Sequence, residues 1–137
     1  MLVVDASVVV AACLAAGGWS IFGSEQLTAP PLVLSEACSV LHEARWRGEL
    51  DNDTAQAALL RLTEAPIVIR ALDNLALAWQ EADELGWAKT YDAEYVVLAR
   101  TLGCRLVTLD ERLKRGLRGR VEAIAPADLE EPDTRGG

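Results

Sequence analysis

Five short apolar runs alternate with stretches of helical periodicity, and this alternation restricts the fold more than any other feature of the chain. The runs are LVV at 2–4, LTA at 27–29, IVI at 67–69, RLVTL at 105–109 and VEAI at 121–124. Between them, apolar residues recur at helical spacing, as in Leu75, Leu77, Ala78, Ala82 and Leu85, or Tyr91, Tyr95, Leu98 and Leu102. Helix punctuation frames these segments. Ser7 reads as the cap of a helix over 8–16 that Gly17-Gly18 ends, and Pro30-Pro31 open a helix reaching Trp46. Asp51 or Asp53 caps the next, with Ala55, Ala58, Leu59 and Leu62 on one face; Asp73 caps one ending at Gly86, and Thr90 one ending at Gly103. A short basic helix is expected after Asp110. Strands separated by helices cannot pair as hairpins, so the pattern predicts an α/β fold: a central, mainly parallel five-stranded sheet with helices on both faces. The chain's 137 residues leave room for one domain, placed at 1–129, with EEPDTRGG at 130–137 read as a frayed, disordered tail.

Charge and cysteine content narrow the function. Acidic residues outnumber basic ones by 21 to 13, which makes the chain a poor non-specific binder of nucleic acid. The charge is uneven: residues 1–44 contain no Lys or Arg, whereas residues 100–120 hold seven basic residues and two acids. Cys13, Cys38 and Cys104 fit neither a disulfide framework nor a zinc motif and read as buried thiols in a reducing compartment. No basic residue precedes the N-terminal apolar run and Asp5 interrupts it, so it reads as neither a secretion signal nor a membrane span. A cytoplasmic protein is expected.

The chemistry centres on acids. Asp5 ends the first apolar run and Asp110 the fourth; parallel strands carry both to the carboxyl edge of the sheet, where ligands of open α/β folds gather. Glu36, in PPLVLSEACSVL, and Asp92, in TYDAEYVVLA, stand in otherwise apolar helical surroundings. Taken singly, each acid has an ordinary role available: a strand-end turn for Asp5, a helix cap for Asp110, a favourable helix dipole for Asp92, a solvated face for Glu36. Taken together, four carboxylates converging on one pocket repel one another unless a cation compensates. An all-oxygen set suits Mg2+ or Mn2+ rather than zinc. Glu94, two residues past Asp92, faces another way, and Glu43, Glu81, Asp83 and Glu84 read as solvated helix residues. The one histidine, His42, falls on the far side of its helix from Glu36 and reads as structural, so triad catalysis is not expected. Neither G-x-G-x-x-G nor G-x-x-x-x-G-K-[ST] occurs, so nucleotide-binding loops are absent.

The segments LVVDASVVV, LSEACSVLHEA, TYDAEYVVLA and LVTLDERL, in that order across residues 2–113, resemble the PIN-domain ribonucleases, specifically the VapC-type toxins of bacterial toxin–antitoxin pairs. The resemblance implies a PIN-like fold and metal-dependent endonucleolytic cleavage of RNA by an activated water. It makes Asp5, Glu36, Asp92 and Asp110 the acidic quartet around Mg2+ (or Mn2+), with Asp5 and Asp92 the most direct ligands. Ser7 and Thr108 match hydroxyl residues lining that site, while Leu109 stands where members often carry a smaller residue. The implied partners are an RNA substrate, a small VapB-type antitoxin and a second copy in a homodimer, for which the helix over 55–62 offers an apolar surface. Arg112, Lys114 and Arg115, with Arg118 and Arg120, follow Asp110 directly and would meet RNA phosphates at the pocket mouth. Two other classes share the architecture. A phosphohydrolase of haloacid-dehalogenase type needs an acid where Ser7 stands, and a receiver-type phospho-acceptor needs an acid pair and a lysine that do not occur; a non-catalytic PIN-like binding module remains compatible with the fold.

Overall fold

A computed structural model describes residues 1–129; the tail at 130–137 lies outside the described residues. The elements run β1 (Leu2–Val4), α1 (Ala6–Leu14), β2 (Leu27–Ala29), α2 (Leu32–Trp46), α3 (Asn52–Thr63), β3 (Ile67–Ile69), α4 (Leu75–Leu85), α5 (Tyr91–Leu102), β4 (Arg105–Val107), α6 (Glu111–Gly116) and β5 (Ala123–Ile124). The five strands form one sheet in the order β3-β2-β1-β4-β5, and every pairing is parallel. The expected sheet was mainly parallel; among the described residues it is wholly so. β1 lies at its centre with all three residues buried, Leu2 opposite both Leu27 and Arg105.

The winding direction reverses at β1. From there the chain moves outward through β2 and β3, then crosses back to β4 and on to β5. Right-handed crossovers therefore place the helices of the two halves on opposite faces. Contacts agree: α1, α2 and α3 pack on one another, while α5 packs on α4, β1 and β4. The crevice at such a reversal, between the carboxyl ends of β1 and β4, is where an open α/β sheet receives ligands.

Several boundaries differ from the sequence expectation for local reasons. Asp5, not Ser7, caps α1, because its extended backbone lets the carboxylate accept from the Val8 N–H at 3.3 Å. Asn74 rather than Asp73 caps α4, accepting from Ala76 N–H at 2.8 Å. Asp51 caps α3, whereas Thr90 precedes α5 with a helical backbone and no side-chain cap. β4 ends at Val107, two residues early, where Thr108 turns inward and Leu109 outward. β5 is confined to Ala123–Ile124. The loop after α1 contains a 3-10 turn, Gly18–Phe22, that buries Phe22 beside Trp19. Gly86 and Gly103 end α4 and α5 with left-handed backbones, as the sequence suggested.

Three expectations about burial need correcting. Cys13 is buried and Cys104 half-buried, but Cys38 is exposed on α2. Ala55, Ala58 and Leu62 face the core, leaving only Leu59 and Leu60 of the 55–62 stretch as large apolar side chains on the surface. Glu81 is not solvated: it is 4% exposed, bonded to Arg100 at 2.7 Å and to Arg120 at 2.9 and 3.0 Å. Burial works against its ionised form, but bonds from Arg120 and Arg100 prevail and hold its carboxyl below the usual range. No helix among the described residues is long and apolar enough to cross a membrane.

Candidate active site

At the carboxyl ends of β1 and β4 a cavity of about 370 Å3 opens, lined by Asp5, Glu36, Asp92 and Asp110 together with Ser7 and Tyr95. Four separate elements supply the acids. Asp5 stands between β1 and α1, Glu36 on the second turn of α2, Asp92 in the first turn of α5, and Asp110 at the cap of α6. All four residues singled out from the sequence thus share one cavity, and no lining side chain is basic.

Asp5 is the innermost acid, 5% exposed. Ser7 donates its hydroxyl to Oδ1 at 2.5 Å, and Thr108, fully buried, donates to Oδ2. Both hydroxyls also accept: Ser7 Oγ takes the Leu109 N–H at 2.9 Å, and Thr108 Oγ1 takes the Asp110 N–H at 3.0 Å. A closed hydrogen-bonded ring therefore ties the end of β1 to the end of β4. Only the backbone of Leu109 takes part and its side chain is half exposed, so the larger residue there is accommodated. Burial raises the Asp5 carboxyl above the ordinary range, against bonds from Ser7 and Thr108 that lower it.

Asp110 uses Oδ1 to cap α6 through the N–H groups of Arg112 and Leu113, at 2.9 and 3.1 Å. The capping role considered for Asp110 is real, and it leaves Oδ2 uncommitted. Burial raises the carboxyls of Glu36 and Asp92, and like charges raise them further: Asp92 and Asp5 act on Glu36, Asp110 and Asp5 on Asp92. Among the described residues, no three His, Cys, Asp or Glu side chains stand close enough to form a ready-made metal shell. The four acids line one cavity without forming such a shell, and Asp92 and Asp110 are the exposed pair among them. The donors are carboxylates and hydroxyls with no thiol or imidazole, which fits a hard divalent cation.

Tyr95 is the residue that sequence reasoning missed. It occupies a helical core position, 1% exposed, but its hydroxyl donates to Glu36 Oε1 at 3.2 Å. A buried tyrosine needs a partner for its O–H, and that need was the available signal. Glu94 does not line the cavity, although its charge acts on Glu36. His42 is exposed, stacked on Trp46 and beside Arg45, away from the cavity.

The basic stretch divides. Arg112 and Arg115 are exposed on α6, while Lys114 lies 3.8 Å from Glu111; none of the three lines the cavity. Arg120, expected at the pocket mouth, instead turns to α4, where Glu81 and Glu84 take it; Arg100 is likewise committed to Glu81. A larger open cleft of about 680 Å3 around Arg100, Arg105 and Arg120 lies at the amino ends of the strands. It lacks the convergent carboxylates, so chemistry rather than size selects the smaller cavity.

Comparison with known proteins places this geometry in a family. The family profile described as PIN domain matches residues 2–116. VapC ribonuclease Mb0985 of Mycobacterium bovis and ribonuclease VapC9 of Mycobacterium tuberculosis are each 37% identical over 119 residues, covering 82% of this chain and 88% of the relative. Ribonuclease VapC3 of Mycobacterium tuberculosis is 39% identical over 88 residues, covering 64% of this chain and 62% of the relative. The crystal structure of PAE2754 from Pyrobaculum aerophilum superposes with a TM-score of 0.74 at 28% identity, covering 92% of this chain and 90% of that one. The chain belongs to the PIN-domain family and, within it, to the VapC type.

Proposed function

We propose that the chain is a divalent-metal-dependent endoribonuclease acting as the toxin of a VapBC-type toxin–antitoxin pair. The observation that carries the proposal is the gathering of four carboxylates from four elements around one cavity whose lining holds no basic residue. The relatives' names, VapC ribonuclease and ribonuclease VapC9, support the same activity.

When bound, Mg2+ or Mn2+ would polarise the scissile phosphate and lower the pKa of a coordinated water. Asp5, held by Ser7 and Thr108, and Asp92, which has no hydrogen-bond partner among the described residues, serve as the most direct ligands. Asp110 contributes Oδ2 while Oδ1 keeps α6 capped. Glu36 contributes Oε2 while Tyr95 steadies Oε1. Arg112, Lys114 and Arg115 meet RNA phosphates from α6. The same proposal places the protein in the cytoplasm with a VapB-type antitoxin as partner. It includes a homodimer, for which Leu59 and Leu60 remain the exposed apolar residues of the helix over 55–62.

Incubating the purified protein with RNA in Mg2+, in Mn2+ and in a chelator tests the proposal. Internal cleavage that needs the ion supports it. Cleavage that survives chelation refutes the metal, and tight binding of an antitoxin without any cleavage would leave a non-catalytic PIN-like module.

A further inference from the structure

RNA must bring phosphate to a cavity of four carboxylates, and one divalent ion leaves such a cavity negative. Of the basic stretch, Arg100 and Arg120 are committed to Glu81 and Glu84, which leaves Arg112 and Arg115 exposed on α6 and Arg118 exposed just beyond it. The loop from α4 to α5 carries another cation. Lys89 lies in that loop three residues before Asp92, exposed, with no hydrogen bond or ion pair among the described residues. Trp87 fixes this loop: half-buried, it packs against the core, and its indole lies against Gly116, where an added Cβ would meet the ring at 3.3 Å. The loop and the end of α6 are therefore pinned together. No basic residue lines the cavity itself, and Lys89, exposed three residues before Asp92 on the pinned loop, makes no salt bridge with it.

We infer that Lys89 holds a phosphate of the RNA strand at the rim of the four-acid cavity, extending around it the basic border that Arg112 and Arg115 begin on α6. The inference rests on the ribonuclease reading above. An ammonium on a long flexible stem suits this task, because it engages phosphate as a point charge without fixed geometry. Lys89 is a binding residue rather than a metal ligand, and the two roles pull in opposite directions. Its charge attracts phosphate and repels a divalent ion, so removing it weakens RNA binding and strengthens metal binding. A merely solvated lysine would leave RNA binding unchanged.

Lys89→Gln and Lys89→Arg test this beside the parent. Binding of a single-stranded oligoribonucleotide is followed by anisotropy in Ca2+, an oxygen-seeking ion with loose coordination, and cleavage is followed separately in Mg2+ and Mn2+. For Lys89→Gln the expectation is a KM for RNA raised about fivefold to tenfold with kcat changed less. The slope of log affinity against log salt should fall by about 0.7, one single-strand phosphate contact. Mn2+ affinity should tighten about twofold, as expected for screened charges several ångströms apart. Lys89→Arg should retain RNA affinity and the salt slope. Parental KM and salt slope in a folded Lys89→Gln protein overturn the inference, as does weakened metal binding. A parent that binds RNA but does not cleave it refutes the nuclease reading, and the Lys89 inference is then decided by the binding slope. A parent that neither binds nor cleaves RNA overturns both.

Discussion

Replacing Asp92 by Asn removes one charge from the cavity while keeping nearly the same shape. Burial disfavours the Asp92 charge most, and two like charges, Asp110 and Asp5, add to it while Lys89 opposes them. Each like charge several ångströms away in a largely aqueous setting contributes about 0.5 kcal/mol, so relief of both is worth on the order of 1 kcal/mol. Asp92 also sits in the first turn of α5, where its charge complements the helix dipole by ~0.3–1 kcal/mol. Removing a charge that burial disfavours adds to the relief of repulsion, so metal-free Asp92→Asn should melt no lower than the parent and up to a few degrees higher, since 1 kcal/mol corresponds to about 3–5 °C at this chain length. Metal separates the proteins. With free Mg2+ at about a hundred times its Kd, the parent gains about 2.7 kcal/mol. A variant whose affinity is about a hundredfold weaker gains about 0.4 kcal/mol at the same concentration. Melts with and without Mg2+, run beside an RNA cleavage assay, should therefore show a large metal shift in the parent, almost none in the variant, and cleavage reduced more than a hundredfold. A variant with the parental metal shift and the parental cleavage rate would remove Asp92 from the site and refute the four-acid argument.

Thr108→Val should be costlier for the fold, because the buried Asp5 oxygen and the Asp110 N–H both lose their partner; about 1–3 kcal/mol is expected in urea unfolding, with cleavage impaired. Parental stability would mean that the hydroxyl does not orient Asp5. Asp5, Glu36 and Asp92 all titrate above their ordinary values, so the stability they contribute is present at low pH and lost as pH rises through their folded-state pKa. Metal-free protein should accordingly gain stability as pH falls through those folded-state values, and saturating Mg2+ should erase that gain; a metal-free melting temperature that shows no such rise before acid unfolding contradicts this. Below that range Glu81, held low, works in the opposite sense and is lost on acidification. Glu81→Gln exchanges charged bonds to two arginines for neutral ones and should cost about 1–2 kcal/mol by urea unfolding with RNA cleavage unchanged, so an equally stable variant would show the cluster to be idle.

What was legible in the sequence followed from local pattern. An apolar run ending in an acid marks a strand end at a sheet edge, and that located Asp5 and Asp110. An acid standing among apolar helix positions is out of place on a solvated face, and that located Glu36 and Asp92. Partners from remote elements were not legible. Tyr95 satisfies the spacing of a core residue, and its hydroxyl finds Glu36 only because α5 and α2 approach across the sheet edge. Glu81 sits in an acidic stretch and looks solvated until Arg100 and Arg120 close over it. Those same bonds withdraw two cations from a stretch whose charge, counted along the chain, pointed wholly toward RNA. Ser7 resembles a helix cap by residue type, yet the extended backbone at Asp5 moved that role two residues earlier.

Asp5 and Asp110 each hold two posts: one starts α1, the other starts α6, and both line the cavity. Inactive alleles at these positions will therefore fall into two kinds. Asparagine at 110 keeps an oxygen for the helix start and silences only the cavity, while at 5 it keeps the cap but loses the bond from the Thr108 hydroxyl. Alanine forfeits the cap as well, about 1 kcal/mol in a typical protein, and its inactivity blends lost chemistry with lost abundance. Collections of alleles that survive expression of the chain should thus be enriched at 5 and 110 for substitutions uninformative about chemistry. Position 92, which caps nothing and bonds no other residue among those described, is where a silent phenotype reads most nearly as chemistry, whereas Glu36 also satisfies the buried Tyr95 hydroxyl.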